Sequence, residues 1–185
     1  MHEEFLFVSQ SKPLEGVAEL TGAKNAVLVI MASLILTRGR STLTNVPSSS
    51  DVYCMISLLQ HLGARVSFIP EKHTLFVDTS DLYHYDVDCA IMKQMRASVL
   101  VMGPLLARFG KANVSLPGGC SIGERPIDLH VTGFMNMGVS VSEIGNVLYA
   151  EAGPIVSKKI VLAYHLMTTI ISILVVVSGA IIQPV

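Results

Sequence analysis

The chain has 185 residues, a formal net charge of −1 and 51 % apolar residues. That length suits one domain with a sizeable core, or a larger domain cut short. The near-neutral balance without a Lys/Arg run excludes nucleic acid as a general partner, and three cysteines are too few and too odd in number for a disulfide framework. The six histidines show no HExxH spacing and no CxxC occurs, so no metal site is read. Met-His-Glu-Glu at the N-terminus lacks the basic start and apolar run of a secretory signal, and a cytoplasmic protein is expected.

In chain order, an apolar helix from about Asn25 is expected to stop at Gly39, followed by a strand over Ser41–Val46. A second helix stops at Gly63, and further strands follow, the last at Thr74–Asp78. The pattern then recurs. Asn25–Arg40 aligns without a gap on Arg96–Lys111, with Ala26 on Ala97, Met31 on Met102, Leu34 on Leu105 and Gly39 on Gly110. A strand over Ala112–Leu116, a helix stopping at Gly138 and a strand at Val147–Ala150 complete the second copy. The unit reads helix, strand, helix, strand, strand, with a short strand before the first helix. This is an α/β (α+β) chain of βαβαββ-type units.

The tail fits the same unit, with a third helix over His165–Ser178, a stop at Gly179 and a strand over Ala180–Val185. On this reading the third unit is truncated and the chain is a fragment of something longer. Ile160–Ile182 holds no formally charged residue and follows Lys158-Lys159, a length that would span a bilayer. The repeat explains the run as buried strand, helix and strand, so no membrane is expected. A membrane-anchored protein with its span at 160–182 is the alternative.

Pro117-Gly-Gly-Cys-Ser-Ile-Gly-Glu-Arg-Pro-Ile-Asp-Leu129 sets one cysteine in a glycine-rich loop that leads into a helix, with Pro126 suited to the first helical position. Cys120 would face unpaired helix N–H groups with Arg125 nearby, and both features favour the thiolate. A buried structural cysteine beside a tight turn is the plainer reading; the glycines and the Arg-Pro pair point to a reactive thiol. Helix N-termini are electropositive and normally carry acids. Here Lys24 opens the first helix, Lys93 and Arg96 its repeat equivalent, and Arg125 precedes the helix after the cysteine loop. Either these are solvated surface charges or they frame phosphate or carboxylate sites. Walker A, GxGxxG and GxSxG patterns are absent, which removes the usual support for nucleoside triphosphate hydrolysis, Rossmann cofactors and hydrolase triads.

Four blocks carry a resemblance: Thr21-Gly-Ala-Lys-Asn-Ala26, Lys93-Gln-Met-Arg-Ala-Ser98, Gly103-Pro-Leu-Leu-Ala-Arg-Phe-Gly110 and Ser115-Leu-Pro-Gly-Gly-Cys-Ser-Ile-Gly-Glu-Arg-Pro-Ile-Asp-Leu-His130. From about Phe7 onward the chain resembles the UDP-N-acetylglucosamine enolpyruvyl transferases. The resemblance implies a pseudo-threefold, inside-out α/β barrel domain. Residues 1–21 would pair with a second domain, and 22–185 would form an incomplete enolpyruvyl transferase domain. It further implies transfer of an enolpyruvyl group from phosphoenolpyruvate to the 3-hydroxyl of UDP-N-acetylglucosamine, the first committed step of peptidoglycan synthesis, without metal or organic cofactor.

Carried over by motif, Cys120 would be the general acid toward the methylene carbon and the thiol that fosfomycin alkylates. Lys24 and Asn25 would contact phosphoenolpyruvate and the sugar nucleotide, and Arg96 would bind substrate phosphate or sugar nucleotide. Arg125, Pro126, Ile127, Asp128 and Leu129 would line the uridine diphosphate end. The sequence departs from the family at Tyr164–Ile170, where a glycine-bearing turn that touches nucleotide is replaced. The family's general base lies in the part beyond Val185, so the partner implied is a C-terminal half of the same enzyme. Asp128 reads as a first-turn helix residue rather than a substitute base. A catalytically inactive truncated remnant is the other alternative.

Overall fold

The computed structural model describes residues 7–10, 13, 15–87, 96–115 and 127–154. The first repeat opens with α1 (Lys24–Ser33), continues into a 3-10 turn (Leu34–Leu36), and leads to β1 (Arg40–Leu43). Val27, Leu28, Met31 and Ala32 are buried along one face of α1. Helix α2 (Ser50–His61) is stabilised at both ends. Ser49 accepts the Val52 N–H as N-cap, Asp51 stands in the first turn and His61 in the last, in accord with the helix dipole. Gly63 turns the chain at φ 105 into β2 (Arg65–Ile69), and β3 (Thr74–Asp78) returns antiparallel to it. The sheet order is β1-β3-β2.

The second repeat begins with β4 (Asp86–Val87) and resumes in a 3-10 segment (Arg96–Val101) that becomes α3 (Met102–Phe109). β5 (Lys111–Ser115), α4 (Asp128–Asn136), β6 (Val139–Ile144) and β7 (Val147–Ala152) follow. β4 runs parallel to β5, and β5, β7 and β6 are antiparallel, giving the order β4-β5-β7-β6. Among the described residues the expected unit is thus present twice, with its leading short strand in the second copy.

The register repeats as well as the order. In one sheet Asp78 stands between Arg40 and Arg65; in the other Glu151 stands between Lys111 and Ser140. Arg40 and Lys111 are equivalent in the alignment, and each bonds its carboxylate across the strands, at 3.3 and 3.1 Å. One row further on, Phe76 and Tyr149 occupy matching outward positions, both partly exposed. The inward faces join the helices in one hydrophobic cluster drawn from both repeats, including Met31, Ile35, Met55, Leu75, Met102, Leu105 and Phe134. Residues 102–107 of α3 are all buried, so this helix lies inside while the sheets turn polar faces outward.

Two boundaries differ from expectation. Gly39 is not the stop of the first helix. Thr37 ends it in an extended conformation, its N–H and hydroxyl both donating to the Leu34 carbonyl, whereas Gly110 is a left-handed C-cap at φ 71. The helix after the cysteine loop begins at Asp128 with Ile127 as N-cap, two residues later than the position foreseen for Pro126. The third unit and the apolar 160–182 run lie outside the described residues. No helix among the described residues is long and apolar enough to cross a membrane.

Candidate functional site

Helix α1 and the helical segment of the second repeat lie side by side and parallel. The α-helical part of α1 touches the 3-10 segment Arg96–Val101, and the 3-10 turn that ends α1 touches α3. Both N-termini therefore open at one end of the helix layer. Lys24 and Asn25 occupy the first two positions of α1, and Arg96 begins the second segment. The first turn of α1 holds no acid and Ala23 offers no side-chain cap, so its amide dipoles are left to attract an anion.

Two contacts fix this end, and neither is foreseeable from the motifs. Lys24 Nζ lies 2.6 Å from Asp51 Oδ2, which anchors the ammonium beside the first turn of α2. The Gly22 N–H donates to Asn45 Oδ1 at 3.0 Å, with Asn45 itself left-handed at φ 56. A Cβ on Gly22 would collide with the Asn45 carbonyl, so glycine is required two residues before Lys24 by close approach of the backbone. Asn before Val-Pro is turn chemistry visible in the sequence; its partner across the fold is not.

At the start of α4, Asp128 sits in the first turn, where the helix dipole favours a carboxylate, as the sequence suggested. Ile127 packs partly against the core, and Leu129 is buried at 7 % exposure. His130 behind them is 2 % exposed, and burial pushes its pKa down to about 4 against the opposing pull of Asp128. Cys120, Arg125 and Pro126 lie outside the described residues. The structure thus brings Lys24, Asn25 and Arg96 to a common end, and places 127–129 on the helix that follows the cysteine loop. Among the described residues no cluster of His, Cys, Asp or Glu could hold a metal ion.

Parallel helices buried behind outward-facing sheets make this an α/β fold. Two solved structures share it. The enolpyruvyl transferase NikO from Streptomyces tendae superposes with a TM-score of 0.65 at 16 % identity, covering 75 % of this chain and 30 % of that one. EPSP synthase from Acinetobacter baumannii gives a TM-score of 0.65 at 14 % identity, over 87 % and 37 %. The family model for EPSP synthase (3-phosphoshikimate 1-carboxyvinyltransferase) matches residues 8–179, and the chain belongs to this family.

Within it, curated relatives named UDP-N-acetylglucosamine 1-carboxyvinyltransferase share far more sequence. The Cellvibrio japonicus protein is 45 % identical over 149 residues, 80 % of this chain and 35 % of its own length. The Wolbachia protein (sp. subsp. Brugia malayi) is 40 % identical over 168 residues, 88 % and 39 %. The resemblance drawn from the four sequence blocks is borne out. The chain spans rather more than a third of the length of these relatives.

Proposed function

We propose that the chain carries part of a UDP-N-acetylglucosamine 1-carboxyvinyltransferase, which moves the enolpyruvyl group of phosphoenolpyruvate to the sugar 3-hydroxyl and releases phosphate. The observation that carries this reading is 40–45 % identity to curated relatives of that name, against 14–16 % to the solved structures of the wider fold. The geometry supports it with a helix start that suits a polyanion, where Lys24 and Asn25 stand at the same end as Arg96.

In the reaction, C3 of phosphoenolpyruvate gains a proton as the sugar 3-hydroxyl oxygen bonds to C2 and loses its own. The resulting tetrahedral adduct then expels phosphate and gives up a C3 proton, restoring the double bond. Cys120 is assigned the proton to C3. Lys24, Asn25 and Arg96 are assigned the carboxylate and phosphate charges, which are held throughout both steps. Arg125 and 126–129 are assigned the uridine diphosphate end. The base that takes the hydroxyl proton is assigned to the portion of the relatives beyond this chain, and the compartment to the cytoplasm.

Residues 1–21 are assigned as an arm that pairs with a second domain. Phe7, Val8, Val17 and Leu20 are each at least 85 % exposed, apolar surface that such pairing would cover.

The test is phosphate release from phosphoenolpyruvate, dependent on UDP-N-acetylglucosamine, by this chain alone and mixed with a separately supplied C-terminal half. Release by either supports the reading. No release from a demonstrably folded mixture overturns it in favour of an inactive remnant. Cys120→Ala in the active form is expected to abolish turnover at neutral pH with the fold intact; near-normal turnover would remove the role assigned to the thiol.

A further inference from the structure

Arg108 is the last-turn cation of α3, yet its guanidinium is spent on the other repeat. Nη1 donates to the carbonyls of Ile35 at 2.9 Å and Thr37 at 2.6 Å, and Nη2 to those of Thr79 at 2.8 Å and Ser80 at 3.3 Å. Ile35 and Thr37 close α1, while Thr79 and Ser80 leave β3. The acceptors are themselves tied together. The fully buried Thr79 hydroxyl donates to the Thr37 carbonyl at 2.9 Å and lies 2.8 Å from the Thr37 hydroxyl, and its N–H donates to the Gly39 carbonyl. Burial, and then the neighbouring Arg38, lower the Arg108 pKa from its ordinary value. In the repeat alignment the residue equivalent to Arg108 is Thr37, so the first repeat supplies an acceptor at the position where the second supplies the donor.

Parallel neighbouring helices set like dipole ends together, negative at the C-termini and positive at the N-termini. Arg108 sets its charge from the last turn of α3 against the negative end of α1, and its planar fork fixes α1 to α3 in one axial register. The opposite, positive end holds the first residues of both segments, Lys24 and Asn25 on α1 and Arg96 on the other. We propose that Arg108 is a positioning residue for the anionic substrate: it sets the register of the parallel helix pair and so the spacing between Lys24–Asn25 and Arg96. The substrate half of this statement rests on the function proposed above; the register half does not.

The test uses the full 185-residue chain in two arms. In the first, nitroxide labels at Ile30→Cys on α1 and Lys111→Cys, the first residue of β5 directly after the Gly110 cap of α3, with Cys54, Cys89 and Cys120 replaced by serine, report the distance from α1 to the end of α3. Arg108→Met is expected to shift or broaden that distance by about 1.5 Å or more, the rise of one helical residue. An unchanged distribution overturns the proposal.

In the second arm, phosphoenolpyruvate affinity is measured for Arg108→Met, Arg108→Lys and Phe134→Leu, the last a core change outside the helix pair. Arg108→Met is expected to lose about tenfold in affinity while folded, and Arg108→Lys less. Phe134→Leu is expected to keep the native affinity. Native affinity in folded Arg108→Met, or an equal loss in Phe134→Leu, overturns the positioning role. If Arg108→Met does not fold, Arg108→Lys decides, since it keeps the charge but cannot span four carbonyls. An unsubstituted chain that binds no phosphoenolpyruvate either alone or mixed with the C-terminal half overturns the functional reading and the substrate half with it, and the label distances still judge the register.

Discussion

In the first repeat the α-helical turns come first and a 3-10 turn follows; in the second the 3-10 segment comes first and the α-helix follows. The residue aligned with Pro104 is Ser33, the last residue of α1. Proline lacks the N–H and crowds the carbonyl four residues back, so the second helix cannot run as one α-ladder from residue 96, whereas the first can from Lys24. The sheets show the opposite behaviour: a charged cross-strand row and a central outward aromatic recur at the same register in both. Duplication therefore survives where strand pairing dictates it. It lapses at helix ends, where the repeats meet each other and where the candidate substrate end lies.

The largest effect is expected from the shared core. Met31 and Met102 are aligned and both fully buried. Met31→Ala and Met102→Ala should each cost about 2–5 kcal/mol in denaturant unfolding. Comparable losses in a single transition fit one core spanning both repeats. A second transition in either variant would separate the repeats.

The next comparison concerns the outer helices. Extending the alignment of Gly63 with Gly138 back along α2 and α4 sets Met55 against His130, both buried. His130 titrates at about 4 in the folded chain against 6.5 for a freely solvated histidine, so protons favour the unfolded chain. Its contribution is fully present above pH 6.5 and is lost as pH falls toward 4, about 3 kcal/mol in all. His130→Met, which installs the residue of the first repeat, should flatten that limb of the stability profile. An unaltered limb would show that another group causes it.

Gly63 and Gly138 both turn the chain at positive φ, 105 and 96. At Gly63 a Cβ would also lie 2.6 Å from the Tyr83 ring. Gly63→Ala should therefore cost more than the roughly 1–3 kcal/mol of backbone strain alone. A loss in denaturant unfolding no larger than that range would mean that Tyr83 moves aside freely. The smallest effect belongs to the paired charges. Arg40→Ala and Lys111→Ala remove equivalent exposed ion pairs, and both should leave the melting temperature nearly unmoved. A large drop in one alone would show that its sheet face does more than meet solvent.

Much of the unit was legible because its signals are local. The apolar first helix, the helix that stops at Gly63, the turn at Gly138 and strand Thr74–Asp78 all stand where the residues suggested. Gly39 misled because Thr37 terminates the helix by bonding its own last turn, a choice made once Thr79 is buried beside it. At the candidate site, Lys24 and Arg96 were legible as charges that oppose the helix dipole. Asp51 was legible only as an ordinary first-turn acid; nothing in its own segment names Lys24 as its partner.

The sequence by itself determined the repeated order of helices and strands, the glycine turns at 63 and 138 and the cations at the helix starts. Backbone preference and side-chain periodicity act over a few residues, and the two repeats state them twice. Tertiary structure alone decided that the two central helices run parallel, that Asn45 presses on Gly22, and that Arg108 serves the far end of α1. Those contacts join segments distant in the chain, and several end on backbone carbonyls, which every residue possesses and which leave no mark in a sequence.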